Sequence, residues 1–138
     1  MENHDCIFCK IVAHQIPAHT VYEDEKMLVF LDIHPIRTGH MLAVPKLHEP
    51  DFYKVPADIF AHMMIVVQEL ASKASTVLQP QKVGLLISGF DVPHTHIHIV
   101  PMHESDDITS NRLADVDRTD PTHETLAAMA KTLSALNN

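Results

Sequence analysis

No cluster of Lys and Arg occurs in this sequence of 138 residues, whose 10 basic side chains are outnumbered by 18 carboxylates for a formal net charge of -8. Proteins that grip long nucleic acids need such a cluster to displace phosphate counterions, so nucleic-acid polymers are excluded as partners. A small phosphorylated ligand is not excluded, because helix N-termini, backbone N–H groups and imidazoles supply local positive potential on an acidic protein. Long apolar runs are also missing. The longest, Ala61 to Val67, is interrupted by His62 and falls far short of the roughly 20 residues that cross a bilayer, so no membrane span is expected. Met1 to Asp5 is polar and acidic with no apolar segment behind it, which predicts no secretory signal and a cytoplasmic location. Cysteine is scarce, and in that compartment Cys6 and Cys9 are expected to be thiols or metal ligands before a disulfide is considered.

Hydrophobic residues at 46% and charged residues at 20% give the mix of a globular chain, and residues 1–138 are long enough for one compact domain. Cys6 to Val12 has apolar residues at helical spacing and is followed by Pro17, which predicts a short helix and a turn. Thr20 to Asp24, Met27 to Asp32 and His40 to Pro45 are strand-like, joined by a charged turn and by Gly39, and predict an antiparallel meander. Between Pro56 and Pro80, the residues Ile59, Met63, Val66, Val67, Leu70, Ala74 and Val77 recur every three or four positions, predicting one long amphipathic helix over Ala57 to Leu78. Two further strands are expected over Lys82 to Ser88 and Thr95 to Val100, then a polar loop from His103 to Asp107 and a last helix over Thr122 to Leu136. The fold class is α+β, with about five antiparallel strands, one long helix and shorter terminal helices packed on the sheet.

Histidine is abundant, 12 in all, and His94-Thr95-His96-Ile97-His98 alternates it with apolar or β-branched residues. On a strand the three imidazoles share one face about 7 Å apart, along an exposed or cleft-facing edge, while Thr95, Ile97 and Ile99 turn to the core. Three uses are open: a solvated polar face, a zinc or iron site, or nucleophilic attack by an imidazole nitrogen on phosphorus. Histidine suits the last because at neutral pH one nitrogen is unprotonated while the other is free to donate to a group that fixes the tautomer.

His94-Thr95-His96-Ile97-His98-Ile99-Val100, followed by Pro101, resembles the His-x-His-x-His-hydrophobic-hydrophobic signature of the histidine triad nucleotide hydrolases and transferases. Phe30-Leu31-Asp32-Ile33-His34-Pro35 and Gly39-His40-Met41-Leu42-Ala43-Val44-Pro45-Lys46 resemble that family's nucleoside-binding strand and the strand after it, and Cys6 to Ile11 with Ile16-Pro17 is similar to its N-terminal segment. The resemblance covers Cys6 to Pro101, leaving 102–138 without a motif, and is nearest to the bacterial zinc-containing branch that acts on purine nucleoside phosphoramidates. It implies a hydrolase of nucleoside 5′-phosphoramidates or related purine nucleotide conjugates. Dinucleoside polyphosphate hydrolysis and a zinc-stabilised nucleotide binder with little turnover are the alternatives.

Carried over by position, the resemblance makes His96 the nucleophile toward the α-phosphorus and His98 its partner at the phosphate or leaving group. His94 and His40 would support the same cluster. Asp32 would accept hydrogen bonds from the ribose hydroxyls, and Ile7, Phe8, Phe30 and Ile33 would form the apolar slot around the base. Cys6 and Cys9 supply half of a tetrahedral zinc site. The resemblance adds His48 and His94 for a structural zinc, against the alternative of two buried thiols. It implies a homodimer with the long helix and a strand edge at the interface, and no organic cofactor. The chain departs from the pattern at Gly89-Phe90-Asp91-Val92-Pro93, where many members have Gly-Gln-Ser/Thr-Val touching the phosphate. Asp91 in that position repels a phosphate unless protonated or turned aside. Met102 stands where an arginine is common, and tryptophan is absent.

Overall fold

The computed structural model of the chain describes residues 5–109 and 119–134. Its elements in order are α1 (Ile7–Val12), β1 (Thr20–Glu23), β2 (Met27–Leu31), β3 (Met41–Pro45), a short 3-10 turn (Phe52–Lys54), α2 (Ala57–Leu78), β4 (Lys82–Leu86), β5 (Ile97–Met102) and α3 (His123–Ser134). The strands form one antiparallel sheet in the order β1-β2-β3-β5-β4, as the α+β expectation required. β4 lies at an edge.

Both faces of the central strands are covered, which is why β2 and β3 read as unbroken apolar runs with every residue buried. Side chains alternate between two cores. Met27, Val29, Leu31, Met41, Ala43, Ile97 and Ile99 pack against Met63, Val66, Val67, Leu70 and Ala74 of α2 and Leu126, Ala130 and Leu133 of α3. Leu28, Phe30, Leu42 and Val44 face the other way and meet Cys6, Phe8, Cys9 and Ile11 around α1. His98 pairs in register with Leu42 and so belongs to this second face, the one α1 covers.

The long helix has the predicted bounds because its chemistry changes at both ends. Pro56 precedes it, and Gln79 closes it in the left-handed region at φ 51° before Pro80. Near its end Leu78 meets Gly39, whose φ of +90° and lack of Cβ are both needed, since a Cβ there would lie 2.3 Å from Leu78 Cδ1. That contact seats the turn entering β3 and hence His40.

Several boundaries differ from expectation. β4 stops at Leu86 rather than Ser88, and β5 starts at Ile97 rather than Thr95 and runs to Met102. Thr95 is held instead by the Glu49 carbonyl, which accepts from both its N–H and its Oγ1, each at 2.7 Å. Cys6 caps α1 rather than entering it, its Sγ accepting from the Cys9 N–H at 3.4 Å. α3 follows Thr122, whose Oγ1 accepts from the Thr125 N–H at 3.1 Å, and the expected end at Leu136 falls outside the described residues. Among the described residues no helix is long and apolar enough to cross a membrane.

Candidate active site

His94 and His96 lie before β5 and only His98 lies within it, and Phe8 of α1 meets the rings of both His94 and His96, at 6.0 and 5.1 Å. None of the three is exposed: His94, His96 and His98 are 0%, 1% and 5% accessible. The expected exposed or cleft-facing edge is a buried cluster at a cleft, with the His94 side chain directed to Cys6 and Cys9.

Backbone partners fix the tautomer of each ring. His96 Nδ1 donates to the His94 carbonyl oxygen at 2.7 Å. In the neutral ring Nε2 is therefore the unprotonated nitrogen, and it is buried and without a hydrogen-bond partner. Asp91 Oδ1 lies 3.2 Å away but off the line of a hydrogen bond. The Ile36 N–H donates to His40 Nδ1 at 3.0 Å, so His40 carries its proton on Nε2 and donates it to His98 Nδ1 at 2.9 Å. His98 then holds its own proton on Nε2, as a donor beside His96, with the two ring centroids 5.0 Å apart. Burial, reinforced by neighbouring His96, lowers the His98 pKa to about 4, which keeps the ring neutral near pH 7. A buried acceptor and a buried donor thus stand side by side.

His96 and His98 border a cleft of about 240 Å³ whose walls include Ile7, Phe8, Phe30, Asp32, Ile33 and Asp91. The structure brings the five expected nucleoside-binding residues to this one cleft, with Asp91 of the departing loop beside them. Phe8 and Phe30 form its buried floor, edge to face at 5.6 Å, and Phe8 also meets the His96 ring at 5.1 Å. Ile7 and Ile33 are exposed at its rim rather than packed in the core. Asp32 Oδ1 accepts from the His34 N–H at 2.8 Å, and Oδ2 sits 3.7 Å from His40 Nε2, which ties the carboxylate to the imidazole relay.

His94 belongs to a second constellation. Its Nε2 donates to the Pro45 carbonyl at 2.9 Å, which leaves the Nδ1 lone pair facing Cys6 Sγ at 3.4 Å and Cys9 Sγ at 3.5 Å. His48 Nδ1 lies 3.2 Å from Cys9 Sγ. These four ligand atoms lie within 4.8 Å of one another. A tetrahedral zinc with Cys and His ligands has donor-to-donor edges of roughly 3.3–3.8 Å, so this donor set fits such an ion closely. Burial lowers the His94 pKa to about 4, which keeps the ring neutral as a ligand must be. His94, expected to support the catalytic cluster, reaches His96 through its carbonyl.

One buried pair carries no local mark in the sequence. Asp107, within the stretch expected to be a polar loop, is fully buried and accepts from Arg37 Nε and Nη2 at 2.8 Å each and from the His103 and Glu104 N–H groups. The guanidinium and those N–H donors hold its carboxyl well below the ordinary range. This clamp ties the turn before His40 to the segment leaving β5. An acidic residue in an acidic run carries no local mark of such a role.

The HIT domain model matches residues 13–105, about two-thirds of the chain and all three triad histidines. The chain belongs to the HIT domain family. It is 40% identical over 111 residues to an uncharacterised HIT-like protein of Methanocaldococcus jannaschii, covering 73% of this chain and 81% of that one. It is 36% identical to the adenylylsulfatase HINT3 of Arabidopsis thaliana over 74% of this chain and 54% of that longer protein. Among solved structures it is similar to a zinc-bound histidine triad family protein from Mycobacterium smegmatis, with a TM-score of 0.76, 32% identity and 96% of each chain covered.

Proposed function

We propose that this HIT-family protein is a nucleotide hydrolase that cleaves nucleoside 5′-phosphoramidates, or closely related purine nucleotide conjugates, at the α-phosphorus through a nucleotidyl-His96 intermediate. The observation that carries the proposal is the state of His96: Nδ1–H is committed to the His94 carbonyl, and in the neutral ring Nε2 is unprotonated, buried and unpartnered beside the cleft. Attack forms a bond from Nε2 to phosphorus and breaks the bond to the leaving nitrogen, which takes up a proton from solvent water as it departs. The ring, now cationic, keeps its Nδ1–H on the carbonyl, whose partial negative charge stabilises it. Water then attacks the phosphorus, returning His96 and releasing the nucleoside monophosphate.

The other side chains divide around that step. His98 Nε2–H donates to a phosphoryl oxygen, oriented by His40, which is oriented in turn by the Ile36 N–H. Asp32 accepts from the ribose hydroxyls at the end of the cleft where Phe8, Phe30, Ile7 and Ile33 enclose the base. Cys6, Cys9, His48 and His94 would hold a zinc ion, which would supply cross-linking of α1 to the catalytic bend and no step of the reaction. A zinc-bound relative of similar fold supports that assignment. A homodimer is proposed as well, through α2 and the β4 edge.

Steady-state hydrolysis of adenosine and guanosine 5′-phosphoramidates tests the proposal. Wild-type protein is expected to release the monophosphate, and His96→Ala to lose roughly a thousandfold or more in kcat/KM with its fold intact. Activity retained in that variant contradicts it.

A further inference from the structure

Two carboxylates, Asp32 and Asp91, line the cleft beside His96, and among the described residues lining it there is no Lys or Arg. Asp91 Oδ1 stands 3.2 Å from His96 Nε2, to one side of the line along which that nitrogen would form a hydrogen bond. Phosphorus poised for attack lies about 3–3.5 Å from the same nitrogen, along its lone pair. The carboxylate is therefore on the nucleophile's side of the phosphorus, beside the non-bridging oxygens and away from the group that departs opposite Nε2. Ligand atoms of Asp91, His96 and His98 lie within 4.8 Å of one another, a span that one phosphoryl group fills. His98 Nε2–H and the Asp91 carboxylate thus face the same phosphoryl oxygens, one attracting them and the other repelling them. The loop holds this meeting in place. Val92 packs on the core around α1, and the His94 N–H donates to the Val92 carbonyl at 2.8 Å. The Asp91 side chain, 67% exposed, is free to turn about its own bonds while its backbone stays beside His96.

We propose that Asp91 gauges the charge on the α-phosphoryl group: the site takes nucleotide phosphoryl groups with a single negative charge and rejects the phosphomonoester dianion. The proposal rests on His96 as the site of attack, since that places the phosphorus. Amidates and diesters carry one charge on the phosphoryl group. The released monophosphate carries close to two above about pH 7, its second pKa being about 6. Cleavage therefore creates the charge that Asp91 repels, and Asp91 is a specificity-determining residue that separates substrate from product and favours release of the product. At contact distances one unit charge facing another changes affinity about fivefold even with the screening of bulk water.

Calorimetric titration of the wild-type protein at about pH 8 tests this with adenosine, adenosine 5′-methylphosphonate and adenosine 5′-monophosphate, which carry zero, one and about two negative charges. The methylphosphonate has an uncleavable P–C bond where a substrate has its leaving group. It is expected to bind at least about fivefold more tightly than the monophosphate. Asp91→Asn is expected to leave adenosine unchanged, which checks the fold, and to strengthen the monophosphate about fivefold more than the methylphosphonate, closing the gap. Equal binding of the two phosphorus ligands by wild-type protein, or a ratio that Asp91→Asn leaves unchanged, overturns the proposal. Absence of any nucleotidyl adduct on His96 during turnover overturns the nucleophile assignment instead, a result that these binding ratios do not depend on.

Discussion

At His96 the chemistry depends on which nitrogen holds the proton, and the protein decides that with main chain. The His94 carbonyl takes Nδ1–H, the Ile36 N–H fixes His40, and His40 fixes His98, so in its neutral form His96 offers a lone pair beside the neutral donor His98. Burial enforces this neutrality at a cost in acid. The His98 pKa is about 4 in the folded protein against 6.5 ordinarily, so as pH falls the unfolded chain binds the proton first. Its contribution to stability is full above about pH 6.5, declines as pH falls toward 4 and levels off below that, a loss of the order of 3 kcal/mol at most. Urea midpoints of metal-free protein measured between about pH 7.5 and 4.5 are expected to fall accordingly, with a shallower fall in His98→Gln. A pH-independent midpoint contradicts the buried neutral state.

At the scale of elements, the bend at residues 94–96 serves two centres, one on each side of a single peptide segment. The His94 side chain turns to α1 and its carbonyl turns to His96, so the Cys6, Cys9, His48 and His94 cluster fixes the acceptor that fixes the nucleophile. Metal-loaded protein is expected to carry one zinc per chain, and chelation or His48→Ala to lower Tm by roughly 5–10 °C. Protein that carries no zinc and is indifferent to chelator contradicts the assignment. Much of this was legible in the sequence, because Cys-x-x-Cys and the alternating histidines bring their own chemistry with them. The late start of β5 was not legible: alternation predicts a strand from Thr95, and Thr95 is tied instead to the Glu49 carbonyl, 46 residues away. Nor was the burial of Asp107, which depends on a guanidinium 70 residues distant.

At the scale of the whole molecule, the sheet closes at neither end, and β4 leaves one edge beside the outer face of α2. Met64, Ile65, Val67, Gln68, Ala71, Val83 and Leu85 line a groove of about 430 Å³ there, with Ile65 and Leu85 exposed. An exposed edge next to an apolar groove is an arrangement that a second copy satisfies for both chains at once. Sedimentation is expected to give a dimer for the wild type and a monomer for Ile65→Asp combined with Leu85→Lys; a wild-type monomer contradicts the proposed assembly. The strand order goes beyond what the strand-like runs predict, whereas the long helix beside this face follows from periodicity and turn chemistry alone. The exposure of individual side chains on it does not.

The covalent intermediate is the most direct measure of the account as a whole. Enzyme mixed with a nucleoside 5′-phosphoramidate, quenched in base during turnover and mapped by tandem mass spectrometry, is expected to carry one nucleoside monophosphate, on His96 and on no other histidine. The same protein with His96→Ala is expected to carry none. Turnover with no adduct at any quench time, or an adduct on His94 or His98 in its place, contradicts the assignment of the nucleophile.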